Sequence, residues 1–331
     1  MKRKDSNDTP DNYFKLEEHT ITDLRSLINM IIDLDNKNEP PRKIRNKLPI
    51  NIYKLIDILD PLQRLNKLIG MVKLKEQLLD QLLYFIQGHE DVIMLHTVIE
   101  GPPGTGKTTV ANLMSEIYAG MGIFKKAKCT IIKRNDLIGQ FLGETTIKTM
   151  NALKMCKNGV MLIDEAYSLG SGSKDGVDSY AKEAIDCINE YLTQNVDKLI
   201  CIIAGYKNEL DNCFFSQNPG LRRRFPWTFT IEHFTENELS QVMLKMIKDS
   251  EWETDCSQEY IQSLIKKEYS TGNGGDIEAI LSRAKIIYSR VNFGKENDYI
   301  LTDKILKKAF TQFYDTKKQI VSDKPPFMMY S

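Results

Sequence analysis

One run of the chain, Gly101-Pro102-Pro103-Gly104-Thr105-Gly106-Lys107-Thr108, limits what it can fold into more than any other feature. It fits the pattern G-x-x-x-x-G-K-[ST]. Before it stands an apolar, β-prone stretch (Val92 to Leu95, then Thr97-Val98-Ile99), and after it Val110, Leu113, Met114, Ile117, Tyr118 and Met121 recur at helical spacing. Strand, glycine loop and helix in that order make a phosphate cradle. The glycines let backbone N–H groups face the β- and γ-phosphates, and the helix N-terminus adds positive potential. Lys107 supplies a mobile cation, and Thr108 a hydroxyl for Mg²⁺. Gly101 to Thr109 are therefore the expected nucleotide-binding residues. The competing reading is a glycine-rich βα turn without a ligand, and the complete pattern in its full context argues against it.

With 331 residues the chain is long enough for two or three domains, and 41% apolar with 27% charged residues is the balance of an ordinary soluble protein. Basic and acidic residues both number 45, so bulk charge gives no reason to expect nucleic acid as a partner. The cysteines Cys129, Cys156, Cys187, Cys201, Cys213 and Cys256 show no CxxC spacing and stand away from His19, His89, His96 and His233. They read as core thiols in a reducing, cytoplasmic compartment, not as a zinc site. No signal peptide and no membrane-spanning run is expected.

Taken in order, residues 1–64 read as a polar flexible arm of about 18 residues, a short docking helix carrying Leu24, Leu27, Ile28 and Ile31, and a linker that includes the basic stretch Arg42 to Lys47. An α/β nucleotide-binding domain is expected over 65–233. Its strands fall at Thr97–Ile99, Cys129–Lys133, Gly159–Ile163, Leu199–Ala204 and Trp227–Ile231, with a turn at Asn135-Asp136 and a helix presenting Ala181, Ala184, Ile185, Ile188 and Leu192. Beyond residue 234 the pattern is helix only, which predicts an all-helical lid over 234–318 and a tail over 319–331. Strands alternating with helices imply a parallel sheet.

Asp164-Glu165 ends the apolar strand Gly159–Ile163. That is where a Walker B acid pair stands, with Asp164 organising Mg²⁺ and Glu165 polarising the attacking water. An acid-decorated helix start is the bland alternative. A carboxylate base beside the metal ligand points to ATP hydrolysis, which a bare binding switch does not need. Arg222, Arg223 and Arg224 precede the last strand; they are either a surface salt-bridge cluster or, beside a complete site, a source of an arginine finger acting on a neighbouring subunit. Phe141-Leu142-Gly143 puts an aromatic in a glycine-flanked loop. It is either a core anchor or the lining of a pore.

These motifs resemble the AAA+ ATPases, and within them the group of red-type rubisco activase (CbxX/CfqX) and stage V sporulation protein K. The resemblance runs from about Leu65 to Ala284 on LNKLIGM, HTVIEGPPGTGKTTVANLMSEIYAGMG, DLIGQFLGETT, GVMLIDEAYSL, IIAGYKNEL and NPGLRRRF. It implies a P-loop α/β domain with a helical lid, ATP and Mg²⁺ as cofactors, a homo-oligomeric ring of hexameric kind, and ATP-driven remodelling or threading of a protein substrate. It further implies that Ile69 and Gly70 flank the adenine, and that Arg224, with Arg222 as second choice, acts in trans on the neighbour's ATP. Two departures stand out: Gly205-Tyr206 replaces the polar sensor at the end of the fourth strand, leaving Tyr206 or Asn208 as candidates, and Gly275 stands where relatives carry a lid arginine. A nucleic-acid motor or loader of the same superfamily is the alternative, with a non-motor P-loop switch or kinase behind it. Glu144 and the balanced charge weigh against the first, and Glu165 with the arginines against the second.

Overall fold

The computed structural model describes residues 19–36, 52–87, 93–123, 128–141, 143–170, 178–196, 198–296 and 298–322. The expected arm over 1–18, the basic stretch 42–47, Leu142, the Gly/Ser stretch from 171 to 173 and the end of the tail lie outside them. The chain divides into two compact units, one of residues up to Glu100 together with Lys107–Ile231, the other of Gly101–Gly106 with the residues from Glu232 onward.

In the first unit α1 (Leu24–Asn36), α2 (Ile52–Asp57), α3 (Leu59–Asn66) and α4 (Val72–Ile86) precede β1 (Thr97–Glu100) and α5 (Lys107–Gly120). There follow β2 (Cys129–Ile132), α6 (Glu144–Met155), β3 (Gly159–Ile163), α7 (Ser179–Gln194), β4 (Leu199–Gly205) and β5 (Trp227–Thr230). The five strands form one parallel sheet in the order β2-β3-β4-β1-β5. β3 and β4 are buried along their whole length, as continuous apolar runs in a parallel sheet must be. Period-two alternation sorts their side chains onto two faces. Ile99, Val160, Leu162, Ile200 and Ile202 join one apolar cluster, while Val98, Met161, Ile163, Cys201 and Ile203 join another.

The N-terminal helices correct the sequence reading. Leu27 and Ile31 of α1 are fully buried, and so are Leu55 and Ile58 at α2 and Leu62 and Leu65 of α3, all in the cluster that holds the α5 residues Val110, Met114 and Ile117. Residues 52–66 are thus no linker, and α1 is not a detached docking helix. Burying that many large apolar side chains, at about 1.5–3 kcal/mol each, fastens them to the nucleotide domain. The expected turn at Asn135-Asp136 is a helical turn, Arg134–Leu137, closed by Asp136 Oδ2 accepting from Lys133 N at 2.8 Å.

In the second unit α8 (Glu236–Asp249), α9 (Gln258–Leu264), α10 (Gly274–Val291) and α11 (Asp303–Ser322) make up the helical part. α8 opens on a capping box in which Thr235 and Glu238 satisfy each other's backbone N–H groups. The helix-only expectation needs one addition, a short parallel pair of β6 (Glu253–Thr254) with β7 (Ile300–Leu301). Among the described residues no helix is long and apolar enough to cross a membrane.

Candidate functional site

Parallel strands with a reversal of strand order open a crevice at their carboxyl ends. β1 is flanked by β4 and β5, and the chain leaves it for the far edge before returning through β3 and β4. Lys107 begins α5 directly after the glycine loop, and Asp164 and Glu165 directly follow β3. Thr108 Oγ1 donates to Asp164 Oδ2 at 2.9 Å, so the hydroxyl and carboxylate read from separate motifs meet. Both are hard oxygen donors, a set suited to Mg²⁺ shared with phosphate oxygens.

Glu165 adopts left-handed backbone angles, φ 52° and ψ 45°. A non-glycine residue there is uncommon, and held at a strand's end it is a local strain of the kind that active sites keep. Its N–H donates to Asp164 Oδ1 at 3.0 Å, which fixes the turn, and its side chain is exposed. Burial lowers the ammonium pKa of Lys107 from its ordinary value, against the pull of Asp164 and Glu165. Its Nζ lies 5.2 Å from the ring centre of Tyr206, which in turn stacks on Tyr167 at 5.4 Å with 20° between planes. Here the sensor departure finds a physical reason. A Cβ on Gly205 would lie 2.9 Å from Leu210 Cδ2 and 3.0 Å from Tyr167 Cδ1, so a side chain at the strand end would crowd both. Asn208 is exposed on the helical turn Lys207–Glu209.

Within the second unit, Gly104 has φ +69°, and a Cβ there would fall 2.2 Å from the carbonyl oxygen of Gly272. Gly274 N donates to Gly104 O, and Asn273 Nδ2 to Pro103 O, each at 3.0 Å. Thr105, fully enclosed, donates from Oγ1 to Pro102 O at 2.8 Å. Asn273 also accepts from Phe234 N at 3.1 Å, so one buried amide ties the loop to the residues that lead into α8. Sequence reasoning missed it. Gly275 is exposed, and a Cβ there would meet nothing within 4 Å.

Arg222 is engaged within its own chain, with Nη1 donating to Asp211 Oδ1 at 3.1 Å and the guanidinium 4.4 Å from the Phe215 ring centre. Arg224 is half-buried, in the turn before β5, whose first residue Trp227 pairs with Thr97 at the start of β1. It therefore sits toward the amino-terminal end of the sheet, whereas Lys107, Asp164 and Glu165 follow the carboxyl ends. Phe141 is 67% exposed, which removes the core-anchor alternative. Its loop is braced by Glu144 Oε2 accepting from Gln140 N at 3.0 Å and Phe141 N at 3.2 Å, and Gly143 turns into α6 with φ +84°. Gly70 (φ 67°) and Met71 (φ 58°) make the bend after Ile69, and Lys75 Nζ closes it by donating to Leu68 O at 2.6 Å. Thr109 is exposed on the first turn of α5.

Beside Arg224, His96 is wholly buried and its Nδ1 accepts from Cys201 N at 3.1 Å. Burial lowers its pKa from 6.5 to about 4, with the Arg224 charge acting in the same direction. A depressed base binds fewer protons folded than unfolded, so its stabilising share is complete above pH 6.5 and is lost as pH falls toward 4. The share amounts to about 3 kcal/mol at most. Melting temperature should fall between pH 6.5 and 4 in the wild type and fall less steeply in His96→Gln; equal slopes would contradict the assignment. All six cysteines are free, and burial pushes the Cys129 thiol up to about 11 and the Cys201 thiol well above its ordinary value.

A five-stranded parallel sheet with a glycine cradle after β1, between β4 and β5, and an acid pair after β3 defines a P-loop ATPase. Residues 97–231 match the family model "ATPase family associated with various cellular activities (AAA)". The cfxQ-like protein of Acanthamoeba polyphaga mimivirus is 34% identical over 87% of this chain and 74% of its own length. The CfxQ homologue of Galdieria sulphuraria is 30% identical over 84% and 94%. Stage V sporulation protein K of Bacillus subtilis shares 36% identity over 50% of each chain. Among solved structures, the AAA domain of FIGL-1 in complex with ADP superposes with a TM-score of 0.53 at 17% identity, over 77% of this chain and 88% of that one. The RuvB Holliday junction branch migration motor of Thermotoga maritima superposes with a TM-score of 0.50 at 17% identity, over 75% and 71%; at such identities the likeness is one of fold. The chain belongs to the AAA ATPase family, among proteins of the CfxQ and stage V sporulation protein K kind, and is an ATP-hydrolysing enzyme.

Proposed function

We propose that this chain is a Mg²⁺-ATP-dependent ring motor, of hexameric kind, that remodels or threads a protein substrate. In this reading the nucleotide domain spans 65–233, with the helices of residues 24–66 packed into its core, and the lid 234–318. The backbone of Gly101 to Thr109 and the Lys107 ammonium hold the β- and γ-phosphates, while Ile69 and Gly70 border the adenine. Thr108 and Asp164 hold Mg²⁺, which when bound neutralises charge on the phosphate oxygens. Glu165 accepts the proton of a water whose oxygen bonds to the γ-phosphorus as the bond to the bridging oxygen breaks, yielding ADP and inorganic phosphate. Tyr206, facing Lys107, serves as the sensor in preference to the exposed Asn208. Arg224 acts on the neighbour's ATP, and Arg222 keeps its own Asp211. The free thiols, of which Cys156 and Cys201 are buried, suit a reducing, cytoplasmic setting.

The observation that carries the protein-substrate reading is Phe141, a large apolar ring in solvent on a short loop. A pore lined by such rings grips a threaded chain by sequence-tolerant apolar contact. Glu144, which braces that loop, would repel a polyanion, so a nucleic-acid motor is the weaker reading; the likeness to a junction motor reaches only the fold. Phe141→Ala should leave the melting temperature and basal ATPase unchanged and abolish stimulation by a permanently unfolded protein such as reduced, carboxymethylated lactalbumin. A loss of about 3–5 kcal/mol, the cost of truncating a buried Phe, or undiminished stimulation, would contradict the pore assignment. Steep, salt-dependent stimulation by DNA instead would favour the nucleic-acid reading.

A further inference from the structure

Arg134 opens the helical turn Arg134–Leu137 that leads from β2 to the Phe141 loop, and its side chain joins two other elements. Nη1 donates to Ser168 O at 2.5 Å, in the 3₁₀ turn Ala166–Leu169 that directly follows Glu165, and Nη2 donates to Asp178 Oδ2. Asp178 is the N-cap of α7. Its other oxygen, Oδ1, accepts from Tyr180 N and Ala181 N at 3.1 Å each. One planar guanidinium thus holds the turn after the acid pair to the start of α7. Burial disfavours the charged carboxylate, yet the bonds from Arg134 and from the α7 amides hold the Asp178 carboxyl below its ordinary pKa. Bonds also run from this clamp in both directions. Ser168 N donates to Glu165 O at 2.8 Å, and on the other side Ile138 N donates to Arg134 O at 3.0 Å. Gly139 N then donates to Thr145 Oγ1 at 3.1 Å, next to the Glu144 carboxylate that accepts from Gln140 N and Phe141 N. α6 closes the circuit onto α7, with Thr146 N donating to Glu183 Oε1 at 3.2 Å.

We propose that Arg134 is a positioning residue for the Phe141 loop, clamping Ser168 and Asp178 so that a shift of the turn after Glu165 during ATP turnover is carried to the ring that grips the substrate. The inference rests on the readings of Glu165 as the base and Phe141 as the grip. Glu165 holds left-handed backbone angles, φ 52°, and strain of that kind sits in segments that switch. A lysine at position 134 could reach one of the two acceptors but not hold both in a fixed plane. Without the clamp the loop would still be held by α6, because Lys148 Nζ donates to Asn135 O at 2.6 Å and to Ile138 O at 3.0 Å. It would keep its shape and lose its link to the acid pair. Contiguous bonds amount to a coupling only where a change at one end alters the other, and that interaction is measurable.

The test is steady-state ATPase kinetics on the full chain, with and without reduced, carboxymethylated lactalbumin, for Arg134→Ala, Arg134→Lys, Asp178→Asn, Phe141→Ala and the double variant of Arg134→Ala with Phe141→Ala. Melting temperatures, and binding of labelled lactalbumin in the presence of ATPγS, are measured alongside. Arg134→Ala should lower the ratio of stimulated to basal turnover by about tenfold, the size of a hydrogen bond to a charged group, with basal turnover and lactalbumin affinity within about twofold of wild type. Arg134→Lys should fall between the two. Asp178→Asn keeps the cap of α7, since Asn caps as well as Asp, so it should lower the ratio at a near-unchanged melting temperature. In the Phe141→Ala background, Arg134→Ala should alter the ratio by less than about twofold, because the grip is already gone. A wild-type ratio in Arg134→Ala and Asp178→Asn, beside a Phe141→Ala chain that has lost stimulation, overturns this inference alone, whether or not the melting temperature falls. So does a loss of lactalbumin affinity in Arg134→Ala as large as that in Phe141→Ala. Absence of stimulation in the wild type, or full stimulation in Phe141→Ala, overturns the pore reading and this inference with it.

Discussion

Replacing Glu165 with glutamine is expected to slow ATP turnover by about 10³-fold while ATP affinity stays within a few-fold of wild type. The amide has the shape of the acid and leaves untouched both the turn set by Asp164 Oδ1 and the Thr108 to Asp164 contact at 2.9 Å. It cannot take a proton. Loss confined to kcat is the signature of a group acting only in the transition state. A nucleotide titration together with a single-turnover assay separates the steps. Turnover within a few-fold of wild type would show that another group activates the water.

Arg224→Ala is expected to cut hydrolysis by a similar factor, roughly 10³-fold or more, the scale of an arginine finger. ATP binding should be spared, since the residue stands toward the amino-terminal end of the sheet, whereas Lys107, Asp164 and Glu165 follow the carboxyl ends of its strands. Arg222→Ala, which removes a partner of Asp211 and Phe215, should have a far smaller effect on turnover. If Arg222→Ala is the crippling change and Arg224→Ala the mild one, the assignment of the finger is reversed.

What could be read before the structure was whatever is local in sequence. The glycine loop, the acid pair and the strands at 159–163 and 199–205 are short contiguous signals, and each stands where its pattern puts it. α6 escaped notice because its buried face is Thr145, Thr149, Ala152 and Leu153, in which one large apolar residue among small and polar ones makes no apolar stripe. Thr149 is satisfied instead by donating to Leu137 O at 3.0 Å. The helices at 52–66 were hidden because their burial depends on α1 and α5, which are distant in the chain. Asn273 and Tyr167 belong to a third kind. Asn273 meets a carbonyl 170 residues away, and Tyr167 gains its meaning from Gly205 and Tyr206 on another strand's end. Gly205, which looked like a missing sensor, stands where a side chain would crowd Leu210 and Tyr167.

In the proposed ring each ATP site is completed by the next subunit, and a mixture of two inactive variants puts this to the test. Arg224→Ala and Glu165→Gln chains, each nearly inactive alone, should recover ATPase activity when co-assembled, because an intact Glu165 on one subunit then meets an intact Arg224 on its neighbour. Rings seen by negative-stain imaging in the presence of ATP, with both chains present by mass, establish co-assembly. Mixed rings that remain as inactive as their parents would contradict the claim and place the arginine outside the reaction.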